Sequence, residues 1–252
     1  MGHKNRDVEV VRLEQRLCLV TACDSCGGIG SKEMDILRIP ARTVGQMTAR
    51  LVLMEVLSTG ALPRVMTVAV SSEPDPTGNA ILEGVNAELT LSGFPDLPVA
   101  VSTEKNFEPA QTGLGIGLTG TCPKADLKIA VSEPGNAVYC LGEPLVGREV
   151  TGTPSGRIPG TREIRSLLGI SGIREVLPVG SRGIRAEAHD LARSVSACFI
   201  PEPGSGVDLD KSAGPATCTI FTCADSTCRQ EILPELPGDI PLARIGRLGP
   251  VR

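Results

Sequence analysis

The 252-residue sequence predicts an α/β (α+β) protein of two domains, and three observations carry that prediction. Domains commonly run to roughly 100–200 residues, so a chain of this length divides more naturally into two halves than it fills one. The first half alternates short β-rich runs with amphipathic helical stretches. After Cys122-Pro123 the composition shifts toward Gly- and Pro-dense segments, which sets the expected domains at residues 1–122 and 123–252.

VEVVRL (8–13) and RLCLVTA (16–22) are β-rich runs joined by a tight polar turn at Glu14-Gln15, which predicts a hairpin. A Gly-rich loop follows, then DILRI (35–39). Residues 44–59 predict a helix, with Thr43 as N-cap and Gly60 as its stop. RVMTVAV (64–70) is the next strand, and Pro76-Thr77-Gly78 opens a second helix with Ile81, Val85 and Leu89 on one face. PVAVST (98–103) and LGIGLTG (114–120) complete the half. In the second half KADLKIAV is expected to start a strand, and residues 142–160 read as a long loop. Helices are expected near 161–168 and 184–197, and a β-rich piece at 216–222. Pro-rich residues 233–250 predict an extended, surface-wrapping tail.

Composition narrows the function. Hydrophobic residues make up 41% and charged residues 21%, as in a globular protein, but there is no Trp, one Tyr and four Phe. The core is therefore aliphatic, and aromatic platforms for stacking bases are scarce. A net charge of −4 without a basic run argues against nucleic-acid binding, which needs clustered Lys or Arg. No stretch approaches the ~20 apolar residues of a membrane span, and MGHKNRDVEVV carries no apolar signal segment. The expectation is a soluble, cytoplasmic protein. Nine cysteines, an odd and dispersed set, read as free thiols. Cys23-x-x-Cys26 has the spacing of a redox or zinc pair, while Cys218, Cys223 and Cys228 do not match paired zinc knuckles.

Three constellations carry chemistry. The first is DSCGGIGSK at the end of a strand: Gly27, Gly28 and Gly30 allow close backbone approach to anionic oxygens, and Lys32 adds a point charge. Asp24 is a hard oxygen donor of the kind Mg²⁺ takes; the alternative is a glycine turn with a solvated Asp and Lys. GxxxxGK[ST] is absent. The second is Glu55, in a helical stretch apolar on every side, so its carboxylate needs a cation or hydrogen bonds. A metal role competes there with an ion pair to Arg50 or Arg64. The third is Ser102-Thr103-Glu104-Lys105-Asn106 at another strand end, where α/β layers place ligands, followed by Gln111-Thr112-Gly113; the alternative there is an ordinary polar loop.

The runs ACDSCGGIGSKEMD, ARLVLMEVLSTGALP and STEKNFEPAQTGLGIGLTG resemble successive motifs of the aminoimidazole-ribonucleotide-synthetase-like superfamily, which includes selenophosphate synthetase and thiamine-monophosphate kinase. Their spelling is most similar to the α-ribazole kinases of cobamide (cobalamin) lower-ligand salvage. The resemblance covers residues 5–122 and continues more loosely through EVLPVGSRGIRAEAHDLA and SAGPATC. It implies a β-rich N-terminal domain that pairs in a homodimer barrel, flanked by a C-terminal α/β domain. It also implies an ATP- and Mg²⁺-dependent kinase acting on a nucleoside-like small molecule. Carried over by motif, Asp24 and Glu104 are catalytic; Asp7, Asp24, Glu55 and Glu104 bind metal. Ser25, Gly27, Gly28, Gly30, Lys32, Thr103 and Asn106 line the ATP. Ser181-Arg182-Gly183 departs from the second-half "SDG" of thiamine-monophosphate kinases, and His189 reads as a surface or packing residue.

Overall fold

Side chains that alternate between two environments build the first sheet of the protein, for which a computed structural model describes residues 6–13, 16–224, 239–251, Ile232, Pro234 and Leu236. The chain runs β1 (Val8–Arg12), β2 (Leu17–Gly27), β3 (Ile29–Gly30), β4 (Leu37–Arg38), α1 (Ala41–Ser58), β5 (Leu62–Val70), α2 (Asn79–Leu91), β6 (Val99–Thr103) and β7 (Gly113–Pro123). The sheet order is β1-β2-β7-β5-β6, with β5 and β6 parallel and the other neighbours antiparallel. Cys18, Val20 and Ala22 on β2, with Leu114, Ile116 and Leu118 on β7, are buried, while the residues between them are not. α1 lies on the buried face: a Cβ on Gly120 would stand 2.7 Å from Val56 Cγ1. α2 approaches α1 so closely that a Cβ on Gly84 would meet the Arg42 carbonyl at 1.9 Å. Glycine is what lets these helices touch.

The rest of the chain forms β8 (Ala137–Gly142), α3 (Arg148–Gly152), α4 (Thr161–Gly169), β9 (Ile173–Pro178), α5 (Gly183–Ser194), β10 (Ala197–Pro201), β11 (Cys218–Cys223) and β12 (Leu242–Pro250). These strands make an antiparallel sheet in the order β10-β12-β8-β11-β9. β8 and β11 are buried at every position. Ile184, Ala188 and Leu191 of α5 join Val138, Ile220 and Leu248 in one core. Contacts divide the chain into two units, Asp7–Val56 with Ala61–Lys124, and Leu57–Gly60 with Ala125–Arg252, to which Arg6 also belongs. Among the described residues no helix is long and apolar enough to cross a membrane.

Several expectations change. The first helix starts at Ala41, just after Pro40, so Thr43 lies inside it and is no cap; Gly60, at φ +82, does end it. β2 runs through Asp24 to Gly27, and only Leu37–Arg38 of DILRI is strand. KADLKIAV forms no strand, because its backbone turns at Ala130 (φ 56) to donate three N–H groups, from residues 130 to 132, to the buried Glu175 carboxylate. The expected tail is in part β12, a strand between β8 and β10, with Leu242, Ile245 and Leu248 buried. β1 and β2 pair as a hairpin would, though Glu14-Gln15 lies outside the described residues.

Candidate functional site

The side chains of β2 that face the helices change character toward the strand's end. Cys18, Val20 and Ala22 are buried; the next two on that face, Asp24 and Cys26, are half-buried. Burial pushes the Asp24 carboxyl above its usual range, and the like charge of Asp7 pushes the same way against a hydrogen bond from the Ser25 N–H. The Cys26 thiol is pushed up to about 11 by burial and then by Asp24 and Asp35. Negative charge is thus gathered where the sheet opens.

The glycine loop beyond β2 is pinned to the segment that enters β7. Gly28, at φ +68, donates its N–H to Thr112 O at 2.9 Å. A Cβ on Gly30 would fall 2.2 Å from Thr112 Oγ1. Asp35, 7% exposed, accepts from Lys32 N at 2.8 Å, Thr112 N at 2.8 Å and Thr112 Oγ1 at 2.7 Å. Burial alone would raise its carboxyl, but these hydrogen bonds win and hold it low. Met34 N–H donates to Ala110 O at 3.0 Å, and Gln111 Nε2 donates to Met34 O at 2.7 Å.

Lys32 differs from its expected role as a free phosphate ligand, because its ammonium is paired with Glu73 at 2.7 Å. Glu73, Asp35 and Thr112 are the site residues whose roles the motifs did not give. Ser25 and Gly27 are exposed, and nothing lies within 4 Å of where a Gly27 Cβ would be.

The register fixes how far apart the acids stand. Asp24 shares a row with Ile116, Val68 and Val101, while Cys26 shares one with Leu114, Val70 and Thr103. Glu104 follows Thr103, its N–H reaching Val70 O at 3.1 Å and Ser72 O at 3.0 Å. With strands about 4.8 Å apart and about 3.3 Å per residue, the Cα atoms of Asp24 and Glu104 are roughly 17 Å apart. Glu104 turns to its own loop, accepting the Asn106 N–H at 2.6 Å, and that hydrogen bond leads in holding its carboxyl low. Glu55 is buried in the last part of α1, 5% exposed, and Arg64 is engaged with Thr121 Oγ1 at 2.8 Å. Among the described residues no three His, Cys, Asp or Glu side chains are grouped to hold a metal ion. The expected four-acid cluster of Asp7, Asp24, Glu55 and Glu104 does not form within one chain; Asp7 and Asp24 are the pair whose charges are felt together.

In the second unit, Arg182 binds Asp190 at 2.6 Å and Glu187 at 3.0 Å. The base that stands where the resemblance expects an acid is thus tied to the helix behind it. His189 packs edge-on against Phe199, with centroids 5.8 Å apart. Cys23 and Cys26 lie on opposite faces of β2, since the odd spacing puts one outward and the other toward the helices. Cys218 and Cys223 are likewise opposed on β11, and Cys228 lies outside the described residues.

No protein-family model matches the chain, and no curated protein matches it by sequence. Solved structures do match by fold. AaThiL complexed with AMPPCP and TMP, a thiamine-monophosphate kinase from Aquifex aeolicus, superposes with a TM-score of 0.62 at 13% identity, over 98% of this chain and 86% of that one. HypE from E. coli gives 0.68 at 14% identity, over 93% of this chain and 80% of that one. T. maritima PurL complexed with ADP gives 0.61 at 16% identity, over 97% of this chain and 37% of that one. These neighbours are members of the aminoimidazole-ribonucleotide-synthetase-like superfamily, and the chain has their mixed α+β fold.

Proposed function

We propose that the chain is an ATP-dependent kinase that moves the γ-phosphoryl group of ATP to the ribosyl hydroxyl of α-ribazole. The observation that carries the reading is the end of the first sheet. There a half-buried Asp24, which feels the like charge of Asp7, stands beside the open backbone of Gly27. Phosphoryl transfer needs positioning and charge neutralisation more than covalent chemistry, and this edge offers both kinds of group. The AMPPCP and ADP held by the structural neighbours support ATP as donor.

The donor set fits Mg²⁺ in the form that ion prefers, with one or two carboxylates and the remaining positions taken by phosphate oxygens and water. Asp7 and Asp24 are the two that would hold it; when bound, the ion neutralises charge on the transferring phosphoryl group. The two remaining acids take other places. A nucleotide laid across the end of the sheet, beyond the buried Leu114 and Val70, would meet Asp24 on one side and Glu104 with Asn106 on the other. Gly27 and Gly30 leave room for close approach of the phosphates, and Gly28 holds the loop through its N–H to Thr112 O. Ser25 lies on the outward face of β2 and would serve only a phosphate that reaches round the strand end, and Thr103 lies at the far end of the Cys26 row. Glu55, beside Val56 whose side chain meets Gly120, lies four residues along β7 from the Asp24 row and takes no part in this arrangement.

The active form we propose is a homodimer through the outward face of the first sheet. Val11, Leu62 and Val65 are 47%, 48% and 37% exposed there. Gly115, in mid-strand, has nothing within 4 Å of a would-be Cβ, so no contact in its own chain demands glycine. A glycine inside a strand marks close approach of another backbone or a ligand. A different acceptor is the second reading, favoured by Arg182: its lock on Glu187 and Asp190 makes that end of the protein unlike thiamine-monophosphate kinase.

The test is ATP consumption with Mg²⁺ against a panel of nucleoside-like acceptors, α-ribazole included, with product masses determined. Phosphorylation of another acceptor but not α-ribazole moves the substrate and keeps the reaction. No consumption with any acceptor removes the kinase.

A further inference from the structure

The glycine loop carries one cation, Lys32, and in the folded chain that cation is already engaged. Its ammonium lies 2.7 Å from Glu73 Oε2 and 3.8 Å from Glu108 Oε1, and its side chain is only 9% exposed. Glu73 is fixed from its other side, where the Thr77 hydroxyl donates to Oε1 at 2.5 Å. One ammonium between two carboxylates leaves a net negative charge, so an incoming polyphosphate meets a loop that repels it. A phosphate oxygen reaches Lys32 only if the lysine turns out of its pair.

We propose that Glu73 is an internal competitor for Lys32, so that phosphate binds by exchange: Lys32 leaves the Glu73 carboxylate for a phosphate oxygen while Glu73 stays on Thr77. The inference rests on the nucleotide reading above and adds the residue that sets its affinity. The two partners are unequal in a way that fixes which one moves. Lys32 has a flexible four-carbon stem and follows Gly28 and Gly30 in the chain. Glu73 keeps a second hydrogen bond, its carbonyl accepts the Gly78 N–H at 3.0 Å, and Pro74 follows it. Burial raises the Glu73 carboxyl, but the hydrogen bonds from Lys32 and Thr77 hold it below its usual range, so it competes as an anion at neutral pH.

Glu73→Gln removes the charge and keeps the volume and an acceptor for Thr77. Binding of inorganic tripolyphosphate and of ADP to the full chain is measured by calorimetry for wild type, Glu73→Gln, Lys32→Met and the double variant. The expected result is that Glu73→Gln tightens tripolyphosphate about tenfold, the scale of one charge-assisted hydrogen bond. That gain disappears in the double variant, because Lys32 is what Glu73 competes for. Glu108→Gln, whose side chain is 81% exposed, shifts binding by less than about threefold. Should Glu73→Gln misfold, Glu73→Asp, one methylene shorter, weakens the same contact and is expected to shift binding in the same direction. Wild type that binds ADP with no tightening in either variant, or with a lowered melting temperature as the sole change, overturns the competitor and leaves the nucleotide reading standing. If neither wild type nor variant binds ADP or tripolyphosphate, both fall.

Discussion

The two sheets of this protein are built from similar aliphatic residues and yet are covered differently. In β7 burial alternates strictly: Leu114, Ile116 and Leu118 are inside, while Gly115 and Gly117 between them are not. In β8 and β11 every residue is buried. A strand covered on one face carries its information in alternation; one covered on both faces reads as a continuous apolar run. The first sheet keeps an unfilled face and an edge where charge collects, and the second spends its surface on stability. Chemistry is therefore expected at the first, and the largest mutational costs in folding at the second.

The sharpest test of that division is Asp24→Asn. We expect kcat to fall by roughly 10²–10³, as for loss of a group that stabilises developing charge, with folding intact. Steady-state kinetics at saturating Mg²⁺ and ATP, beside a thermal melt, reads both. Near-normal kcat would return Asp24 to a solvated acid beside a glycine turn.

Paired core substitutions come next. Ile220→Ala, at a residue with no exposure in β11, should cost about 3 kcal/mol by the usual price of a buried cavity. Val65→Ala, 37% exposed on the outward face of the first sheet, should cost less than about 1 kcal/mol in a single chain. Denaturant titration compares them. Thr67→Lys on the same outward face should leave the fold intact and, if a second copy covers it, shift the protein to monomer in sedimentation.

The same contrast explains what the sequence disclosed. LGIGLTG was legible as a strand because its alternation is local, whereas AVYCLG was missed because a strand buried on both faces has none. LARIGRLGP hid β12 because glycine and proline suggest a loop, and the strand's register shifts between Arg244 and Gly246. At the site, Asp24 and its glycines stand in one short run. Asp35 takes its meaning from Thr112, 77 residues away, and Glu73 from Lys32, and no local pattern announces such partners. Within one chain the four acids do not gather, because residues that each end an element need not end it at the same place.

A smaller effect is expected from Asp190, buried at the back of α5. Burial raises its carboxyl, but hydrogen bonds from Arg182 and Arg193 more than offset that and hold it low. The contribution is therefore present above the unfolded value near 3.9 and lost as pH falls through the lower folded value. Arg182 is half exposed, so the ion pair is discounted for solvent, and Asp190→Asn should cost about 2 kcal/mol at neutral pH. Stability curves of wild type and variant should begin to approach each other below about pH 4 and meet only below the lowered folded value. A constant gap across that range would assign the cost to packing instead.

The smallest effect is expected where the sequence spacing looks most like chemistry. Cys23 and Cys26 sit in one strand, three residues or about 10 Å apart, and point to opposite faces. Disulfide geometry needs Cα atoms within about 7 Å and Cβ atoms turned toward each other, so this strand cannot close that bond. Nor is Cys26 a ready nucleophile: with its thiol pushed up to about 11, the thiolate is scarce at neutral pH. Cys23 is exposed on the outward face of the single chain and, in the monomer that Thr67→Lys should give, reacts with a maleimide much faster than Cys26. Replacing both by Ser should change kcat by less than about twofold and stability by less than about 1 kcal/mol. Mass spectrometry of alkylated protein gives the order of reaction, and kinetics of the double variant gives the rest. Loss of turnover with folding intact would mean that Cys26, next to Asp24 on the same face, takes a part in the site that its protonated thiol and its place on the strand do not suggest.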